Sequence, residues 1–355
     1  MPSNSWPTNA WYVACTPDEI ASGPLGREIC GARMVLFRDG DGTARALEDI
    51  CPHRAAPLSL GFLRDGDLVC GYHGLSVACD GRAASMPGQD VSRFPRTRAF
   101  AVLERYGFIW VWPGDAARAD PAELHPLPWA EDPAWRYAGG RFYIRCNYRL
   151  MVDNLMDLTH ETYVHASSIG QREIDEAPVT TEVRGEEVIT SRHMPDVMPP
   201  PFWQMALRGA GLPADQRVDR WQVCRFNPPS HVMIEVGVAL AGRGGYHADA
   251  DAKASSIVVD FITPETETSH HYFWGMARGF AFEDDALTEA IREGQHRIFS
   301  EDLEMLEQQQ ANLLRFPDRR LLKLDIDAGG VHARAVIARA LAKEAQAAVE
   351  TADRA

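Results

Sequence analysis

The chain has 355 residues, which is long enough for two domains, and its 45% hydrophobic and 24% charged residues are typical of a globular enzyme. The formal net charge is −14, and no block of the sequence is rich in Lys or Arg. Nucleic acids and anionic membranes are therefore excluded as partners, because both require clustered positive charge. An anionic substrate would need a local basic group, since the field of the whole protein repels it.

The sequence contains no apolar run near the roughly 20 residues that a membrane span needs. Its start carries Trp6, Pro7 and Asn9 where a signal peptide would place basic residues and then an apolar stretch. We therefore expect a cytoplasmic protein. Seven cysteines at irregular spacing, an odd number, do not indicate a disulfide framework; they stand at positions 15, 30, 51, 70, 79, 146 and 224.

Residues 1–118 predict a small all-β domain. Apolar or alternating runs lie at 34–37, 68–70 and 108–112, and Gly-containing turns separate them at 39–42, 65–67 and 80–81. Prolines and a glycine between residues 113 and 128 predict a linker.

Residues 119–355 predict a mixed α+β domain. We expect helices from Tyr148 to Val164, from Asp284 to Phe316 and from Val331 to the end. A Pro-rich loop is expected at 198–201. The predicted strands are 187–192, 221–226, 231–240, 255–263 and 271–277.

Two short motifs in the first domain combine thiols with imidazoles. Cys51 and His53 form C-x-H, and Cys70 and His73 form C-x-x-H, with sixteen residues between the motifs. In a mixed [2Fe–2S] cluster two thiolates hold one iron and two neutral imidazoles hold the other. A Cys₂His₂ zinc site is the alternative, but zinc fingers pair Cys with Cys and His with His, usually around a helix.

A third motif has the spacing D-x-x-H-x-x-x-x-H and contains Asp157, His160 and His165. Mononuclear iron that activates O₂ prefers two imidazoles and one carboxylate. The two histidines would lie about 140° apart on a regular helix, so we expect a π-bulge or a helix end between them. The residues alone leave open that both histidines only cap or pack the helix.

The predicted long helix offers a carboxylate as the third ligand. The helical neighbours of Asp302 are all apolar: Ile298, Phe299, Met305 and Leu306. Asp302 is therefore expected to point into the core, where an unpaired carboxylate is costly. A buried salt bridge is the alternative. Glu301 has Arg297 and Glu304 beside it and is predicted to face water.

Longer stretches carry a family resemblance. CPHRAAPLSLG and CGYHG resemble a Rieske oxygenase domain, although Ala55 stands where many members have Gly, and Gly71 and Leu75 replace Pro and Trp of other subfamilies. The chain is also similar to vanillate O-demethylase oxygenase subunits, within the Rieske non-haem iron aromatic-ring oxygenases. The stretches that carry this likeness are WYVACTPDEI, MVDNLMDLTHETYVHASSIGQREIDEAP, KASSIVVDFITPETET and IFSEDLEMLEQQQANLL.

The resemblance implies an α+β protein with an N-terminal all-β Rieske [2Fe–2S] domain at 1–118. The catalytic domain at 119–355 would have an antiparallel sheet, long C-terminal helices and one mononuclear iron. The expected cluster ligands are Cys51, His53, Cys70 and His73, and the expected iron ligands are His160, His165 and Asp302.

The implied reaction is the O-demethylation of vanillate to protocatechuate and formaldehyde with O₂. Electrons would come from NAD(P)H through a separate flavin and [2Fe–2S] reductase, because this chain has neither a G-x-G-x-x-G element nor a plant-type cysteine motif. A related methoxybenzoate, such as veratrate or syringate, is the alternative substrate, since pocket shape distinguishes ring substituents. A Rieske ferredoxin would not need residues 120–355, and a zinc-binding interaction module would be colourless.

The family also implies a homotrimer in which one subunit's cluster lies beside the next subunit's iron. Asp157 is then a candidate bridge, able to accept a hydrogen bond from His160 and from a neighbouring cluster histidine; Asn154 is grouped with it as a candidate catalytic residue. An apolar pocket with a few polar groups is expected for the substrate. The candidates there are His247, Trp274 and Arg225.

Overall fold

The computed structural model describes residues 5–166, 169–170 and 172–352. The chain divides into two compact units. Unit 1 comprises Met1–Pro126, Thr263–Thr266 and Lys343–Ala355, and unit 2 comprises Leu127–Ile262 and Glu267–Ala342. No helix of the described residues is long and apolar enough to cross a membrane.

Short antiparallel strands make up unit 1, as the turn-rich sequence predicts. In chain order they are β1 (Tyr12–Cys15), β2 (Leu25–Ile29), β3 (Ala32–Arg38), β4 (Ala44–Glu48), β5 (Phe62–Arg64), β6 (Asp67–Val69), β7 (Ser76–Val77), β8 (Ala83–Ser85), β9 (Ala99–Arg105) and β10 (Phe108–Trp112). They form a six-stranded sheet of order β1-β10-β9-β4-β3-β2 and a four-stranded sheet of order β5-β6-β7-β8.

One hydrophobic core of unit 1 contains the two motif cysteines. Cys51 and Cys70 pack there with buried aliphatic and aromatic side chains that include Phe37, Leu58 and Leu68. Each such side chain contributes about 1.5–3 kcal/mol when it is fully buried. The core therefore fixes the positions of both sulfur atoms.

An antiparallel sheet of seven strands is the centre of the second half of the chain. Its strands are β11 (Arg136–Ile144), β12 (Val179–Arg184), β13 (Glu187–Val197), β14 (Val218–Asn227), β15 (His231–Leu240), β16 (Lys253–Thr266) and β17 (Ser269–Arg278). The order is β11-β17-β16-β15-β14-β13-β12. The five strands predicted from apolar patterning are confirmed, whereas β11 and β12, whose residues are mostly half-buried or exposed, were not expected.

The α-helices precede, interrupt and follow these strands in the sequence. They are α1 (Pro128–Glu131), α2 (Tyr148–Leu155), α3 (Glu161–Val164), α4 (Arg172–Glu176), α5 (Pro201–Gly209), α6 (Asp285–Arg315) and α7 (Ala328–Ala352). The side chain of Asp284 accepts a bond from the Leu287 amide at 2.9 Å and so caps the start of α6.

The helical segment expected over roughly Tyr148 to Val164 is helical at both ends but is interrupted between them. Helix α2 ends at Leu155, and a single helical turn, α3, begins at Glu161. The Asp157 carboxylate accepts bonds from both the amide and the hydroxyl of Thr159, each at 2.7 Å. Such local side-chain bonds compete with helical hydrogen bonds and favour a turn. The predicted loop at 198–201 also leads directly into α5, with Pro201 in the first turn.

Candidate metal centres and adjoining cavity

The two motif loops of unit 1 have the same backbone hydrogen-bond pattern. In each, the cysteine amide donates to the carbonyl five residues later, and the cysteine carbonyl accepts from the amide four residues later. The bonds are Cys51 N to Ala56 O (2.8 Å), Ala55 N to Cys51 O (2.9 Å), Cys70 N to Leu75 O (2.8 Å) and Gly74 N to Cys70 O (3.0 Å). The two loops therefore hold their cysteines in the same backbone arrangement.

Left-handed backbone geometry occurs at the same place in both loops. Gly74 has φ of 72°, and Ala55 has φ of 55°. The departure from Gly at position 55 therefore does not remove the turn. It places an alanine in a conformation that costs an L-residue about 1–2 kcal/mol.

The four side chains of these loops separate into two pairs. Cys51 and Cys70 are both 2% exposed, whereas His53 and His73 are exposed. The imidazole rings lie 4.7 Å apart between centroids. Burial raises the pKa of the Cys51 thiol, while the amides of His53 and Arg54 oppose this by hydrogen bonding to it. Two inner thiols beside two outer imidazoles fit a [2Fe–2S] cluster whose irons have different ligands.

A second cluster of ligands lies in unit 2. His160 and His165 flank the single turn α3, at its N-terminal and C-terminal ends, and Asp302 lies on α6. One ligand atom from each of the three residues lies within 4.8 Å of the others. Asp302 is 3% exposed, as predicted from its apolar neighbours. Met305, however, is 59% exposed and does not contribute to that burial.

The Nδ1 atoms of both histidines contact hydrogen-bond acceptors. Nδ1 of His160 lies 2.7 Å from the carbonyl oxygen of Asp157, which can only accept a hydrogen bond. Nδ1 of His165 lies 2.7 Å from Oε2 of Glu301. In the neutral form of each ring the proton is therefore on Nδ1, which leaves Nε2 for a cation; Nε2 lies 3.7 Å from the Asp302 carboxylate in His160 and 3.4 Å from it in His165. The two Nε2 atoms and the carboxylate of Asp302 can therefore act together as ligands of one cation.

Asn154 completes this cluster. Its Nδ2 donates to Oδ1 of Asp302 at 3.0 Å, which orients the carboxylate. Its own Oδ1 is buried and has no hydrogen-bond partner among the described residues. A buried amide oxygen without a partner is costly, so this atom also favours a bound group at the site.

Glu301 corrects one prediction. It was expected to face water, but its side chain is only 20% exposed and it accepts the bond from His165. Burial lowers the pKa of His165, but the hydrogen bonds and negative charges of Asp302 and Glu301 outweigh that effect, and the pKa is raised. Local sequence could not reveal this contact, because it joins residues 136 positions apart.

The contact of Asp157 with His160 also differs from expectation. The bond from His160 goes to the main-chain carbonyl of Asp157, not to its carboxylate. The Oδ1 atom of that carboxylate is held by Thr159 instead. The part of the bridging hypothesis that placed His160 on the Asp157 side chain is therefore wrong.

A cavity of about 100 Å³ adjoins the three metal-ligating side chains. One side is apolar, with Ile234, Val236, Val258 and Met276 from the sheet and Phe299 from α6. This combination of an apolar wall with a few polar groups is typical of small-molecule sites.

A polar group of side chains lies at the β14 part of the cavity wall. Arg220, Gln222 and Glu161 all line the cavity. Nε2 of Gln222 donates to both carboxylate oxygens of Glu161, at 2.7 and 2.9 Å. Arg192 pairs in register with Gln222 across β13 and β14, and its Nη1 lies 3.4 Å from Oε1 of Gln222. All four residues are buried.

The three predicted substrate residues do not line this cavity. Arg225 lies on the opposite face of β14 from Gln222, because side chains alternate along a strand, and it pairs with Glu235 at 2.5 Å. His247 lines a separate cavity of about 310 Å³ that Glu235 also lines. Trp274 is buried and packs against Phe299, with 5.6 Å between ring centroids.

Comparison with known proteins follows the same division of the chain. The family described as Rieske [2Fe-2S] domain matches residues 10–99, and the family described as Vanillate O-demethylase oxygenase C-terminal domain matches residues 144–343. The chain is 66% identical over 343 residues to the vanillate O-demethylase oxygenase subunit of Pseudomonas sp. strain HR199, covering 97% of each protein. The chain belongs to the vanillate O-demethylase family of Rieske oxygenases.

The chain is also similar to oxygenases that are named for another compound, dicamba. Dicamba O-demethylase, oxygenase component, from Stenotrophomonas maltophilia is 39% identical over 81% of this chain and 83% of that protein. A crystal structure of dicamba monooxygenase bound to 3,6-dichlorosalicylic acid superposes with a TM-score of 0.88 at 35% identity, covering 95% of this chain and 98% of that one. The likeness extends through both units.

Family membership establishes the class of enzyme. The chain is a Rieske non-haem iron monooxygenase that uses a [2Fe–2S] cluster and a mononuclear iron. As an oxygenase subunit it is one part of a multicomponent system, which includes a reductase, and it takes O₂ and an organic substrate. The expected α+β fold, with a β-rich Rieske domain before an antiparallel sheet and C-terminal helices, is confirmed.

Proposed function

We propose that this enzyme O-demethylates vanillate, giving protocatechuate and formaldehyde. Electrons come from NAD(P)H through a flavin and [2Fe–2S] reductase. One observation carries the proposal: His160, His165 and Asp302 lie beside an apolar cavity. The chain that contains this site is 66% identical to a vanillate O-demethylase oxygenase subunit. The aromatic acid in a related crystal structure supports the same substrate class.

The ligand assignments follow from the two clusters. Cys51, His53, Cys70 and His73 hold the [2Fe–2S] group in a domain at 1–118; His160, His165 and Asp302 hold the mononuclear iron in a domain at 119–355. When bound, the iron supplies the O₂ activation that oxidation of a methyl group requires. Asn154 orients Asp302, and Glu301 keeps the Nδ1 proton on His165. The apolar wall excludes water from the ring of the substrate.

Asp157 has a separate role in the proposal. The exposed imidazoles of His53 and His73 can reach a neighbouring subunit, and we assign the enzyme a homotrimeric assembly. Asp157 lines the cavity, and its Oδ1 is held by Thr159. Its carboxylate accepts a hydrogen bond from His53 of the partner subunit or from His73 of the partner subunit.

The test is turnover of a panel of methoxybenzoates by the reconstituted holoenzyme with a reductase, with formaldehyde measured. Vanillate is expected to give the highest kcat/KM, with one formaldehyde per protocatechuate. A higher value for veratrate or syringate would assign the enzyme to that substrate. No formaldehyde from any member of the panel, with both metals bound, would refute demethylation.

A further inference from the structure

We propose that Arg220 binds the carboxylate of the aromatic substrate and so makes the enzyme selective for acids. This inference rests on the proposed function, and it identifies which end of the cavity receives the anionic group. Arg220 lies on β14 with 4% of its surface exposed. It lines the same cavity as His160, His165 and Asp302.

Charge is the first argument. Among the cavity-lining residues that the structure describes, Arg220 is the one Arg or Lys, whereas Asp157, Glu161 and Asp302 are acidic. The whole chain has a net charge of −14. A benzoate carboxylate that leaves water for this cavity needs a cation close by, because an unpaired buried charge is strongly unfavourable.

The arrangement of the sheet is the second argument. Arg220 and Gln222 are two residues apart on β14, so their side chains lie on the same face. In register with them on β15 are Val238 and Val236, and Val236 lines the cavity. The wall thus changes from polar at β14 to apolar toward β15, β16 and β17. A substrate with one charged end and one apolar ring matches this change.

The chemistry of the guanidinium group is the third argument. Arginine remains charged in proteins and has five N–H donors in a planar fork, which can bind carboxylates in a bidentate way. The pKa of Arg220 is lowered from its usual value, because burial and the nearby charge of Arg192 outweigh the opposing charges of Glu161 and Glu173. Glu161 is itself held at both oxygens by Gln222. A fork of five donors can bind a substrate carboxylate in addition to protein neighbours.

The experiment compares an acid with its neutral amide. Vanillate and 4-hydroxy-3-methoxybenzamide are titrated into the holoenzyme by calorimetry, and formaldehyde release is measured for both. In Arg220→Gln the Kd for vanillate should rise about 10- to 100-fold, as expected for the loss of a charged hydrogen bond. The Kd for the amide should change by less than roughly three-fold.

Arg192→Gln is the matched control. It removes the same charge from a buried arginine on the next strand, but Arg192 does not line the cavity. Equal weakening of vanillate binding in both variants would refute direct contact by Arg220. Arg220→Lys should recover part of the affinity, because it keeps the charge but loses the bidentate geometry. This variant also provides the test if Arg220→Gln does not fold.

The outcomes separate the two proposals. If the wild-type enzyme demethylates vanillate but Arg220→Gln and Arg220→Lys keep the wild-type ratio of acid to amide affinity, the inference about Arg220 is wrong and the proposed function stands. If the wild-type enzyme neither binds nor demethylates vanillate, the proposed function itself fails.

Discussion

Replacing Glu301 by Gln should weaken iron binding without affecting the Rieske cluster. In the native enzyme the carboxylate accepts the Nδ1 proton of His165 at 2.7 Å, with the histidine side chain 4% exposed and the glutamate side chain 20% exposed. A charged hydrogen bond in such surroundings is worth about 1 kcal/mol more than a neutral one. The amide keeps an acceptor oxygen but loses the charge that favours this tautomer and makes Nε2 more basic.

The magnitude can be compared with other metal sites. Changes to groups that orient a metal-ligating histidine typically cost 10- to 100-fold in affinity or activity. We expect a loss of about 10-fold in iron affinity for Glu301→Gln and about 100-fold for Glu301→Ala, which correspond to roughly 1.4 and 2.7 kcal/mol.

The assay is competition for Fe(II) against a chelator of known affinity, with iron content measured after desalting. Visible absorbance of the cluster provides an internal check, because the Rieske loops belong to unit 1 and Glu301 to unit 2. Glu304→Gln, an exposed position on the same helix, is the matched control. Iron affinity equal to that of the wild type in both Glu301 variants would refute the tautomer argument.

Three other changes test the remaining assignments. Asp302→Ala should abolish mononuclear iron binding and keep the cluster absorbance; full iron content would move the third ligand to another carboxylate. Ala55→Gly should raise the free energy of unfolding by up to about 1 kcal/mol, because Ala55 has φ of 55°. Ala56→Gly, the control, should lower it, and thermal unfolding of both variants measures the two changes. Asp157→Asn should leave both metals bound and the cluster reducible but nearly stop turnover; an unchanged cluster-to-iron electron transfer rate in a single turnover would exclude the bridge.

Local patterns predicted the candidate ligand positions and most of the fold, while the family resemblance was needed to favour iron binding over the alternatives. The mixed C-x-H and C-x-x-H spacings, the two histidines of the third motif and the apolar neighbours of Asp302 are all properties of short segments. Strand β15 agrees with its predicted range, His231 to Leu240, because alternation and turn residues define both of its ends. Helix α6 was predicted from helical periodicity to run from about Asp284 to about Phe316, and it spans Asp285–Arg315.

The substrate cavity required the strand register, which the sequence does not contain. His247, Trp274 and Arg225 were chosen for their chemistry, but the face of a strand residue depends on which neighbours it pairs with. On β14 the even-numbered Arg220 and Gln222 face the cavity and Arg225 does not. Glu301 was assigned to water because its helical neighbours are polar, whereas its burial depends on His165, which lies far away in sequence.

The shortness of α3 has a consequence for the enzyme without its metal. A single helical turn is not stable by itself in water, because nucleation costs more than one turn of hydrogen bonds returns. His160 and His165 stand at its two ends and, with Asp302, form one ligand group. A metal held by these three residues would therefore also stabilise α3, so that metal binding and the stability of this part of the cavity wall would be thermodynamically linked.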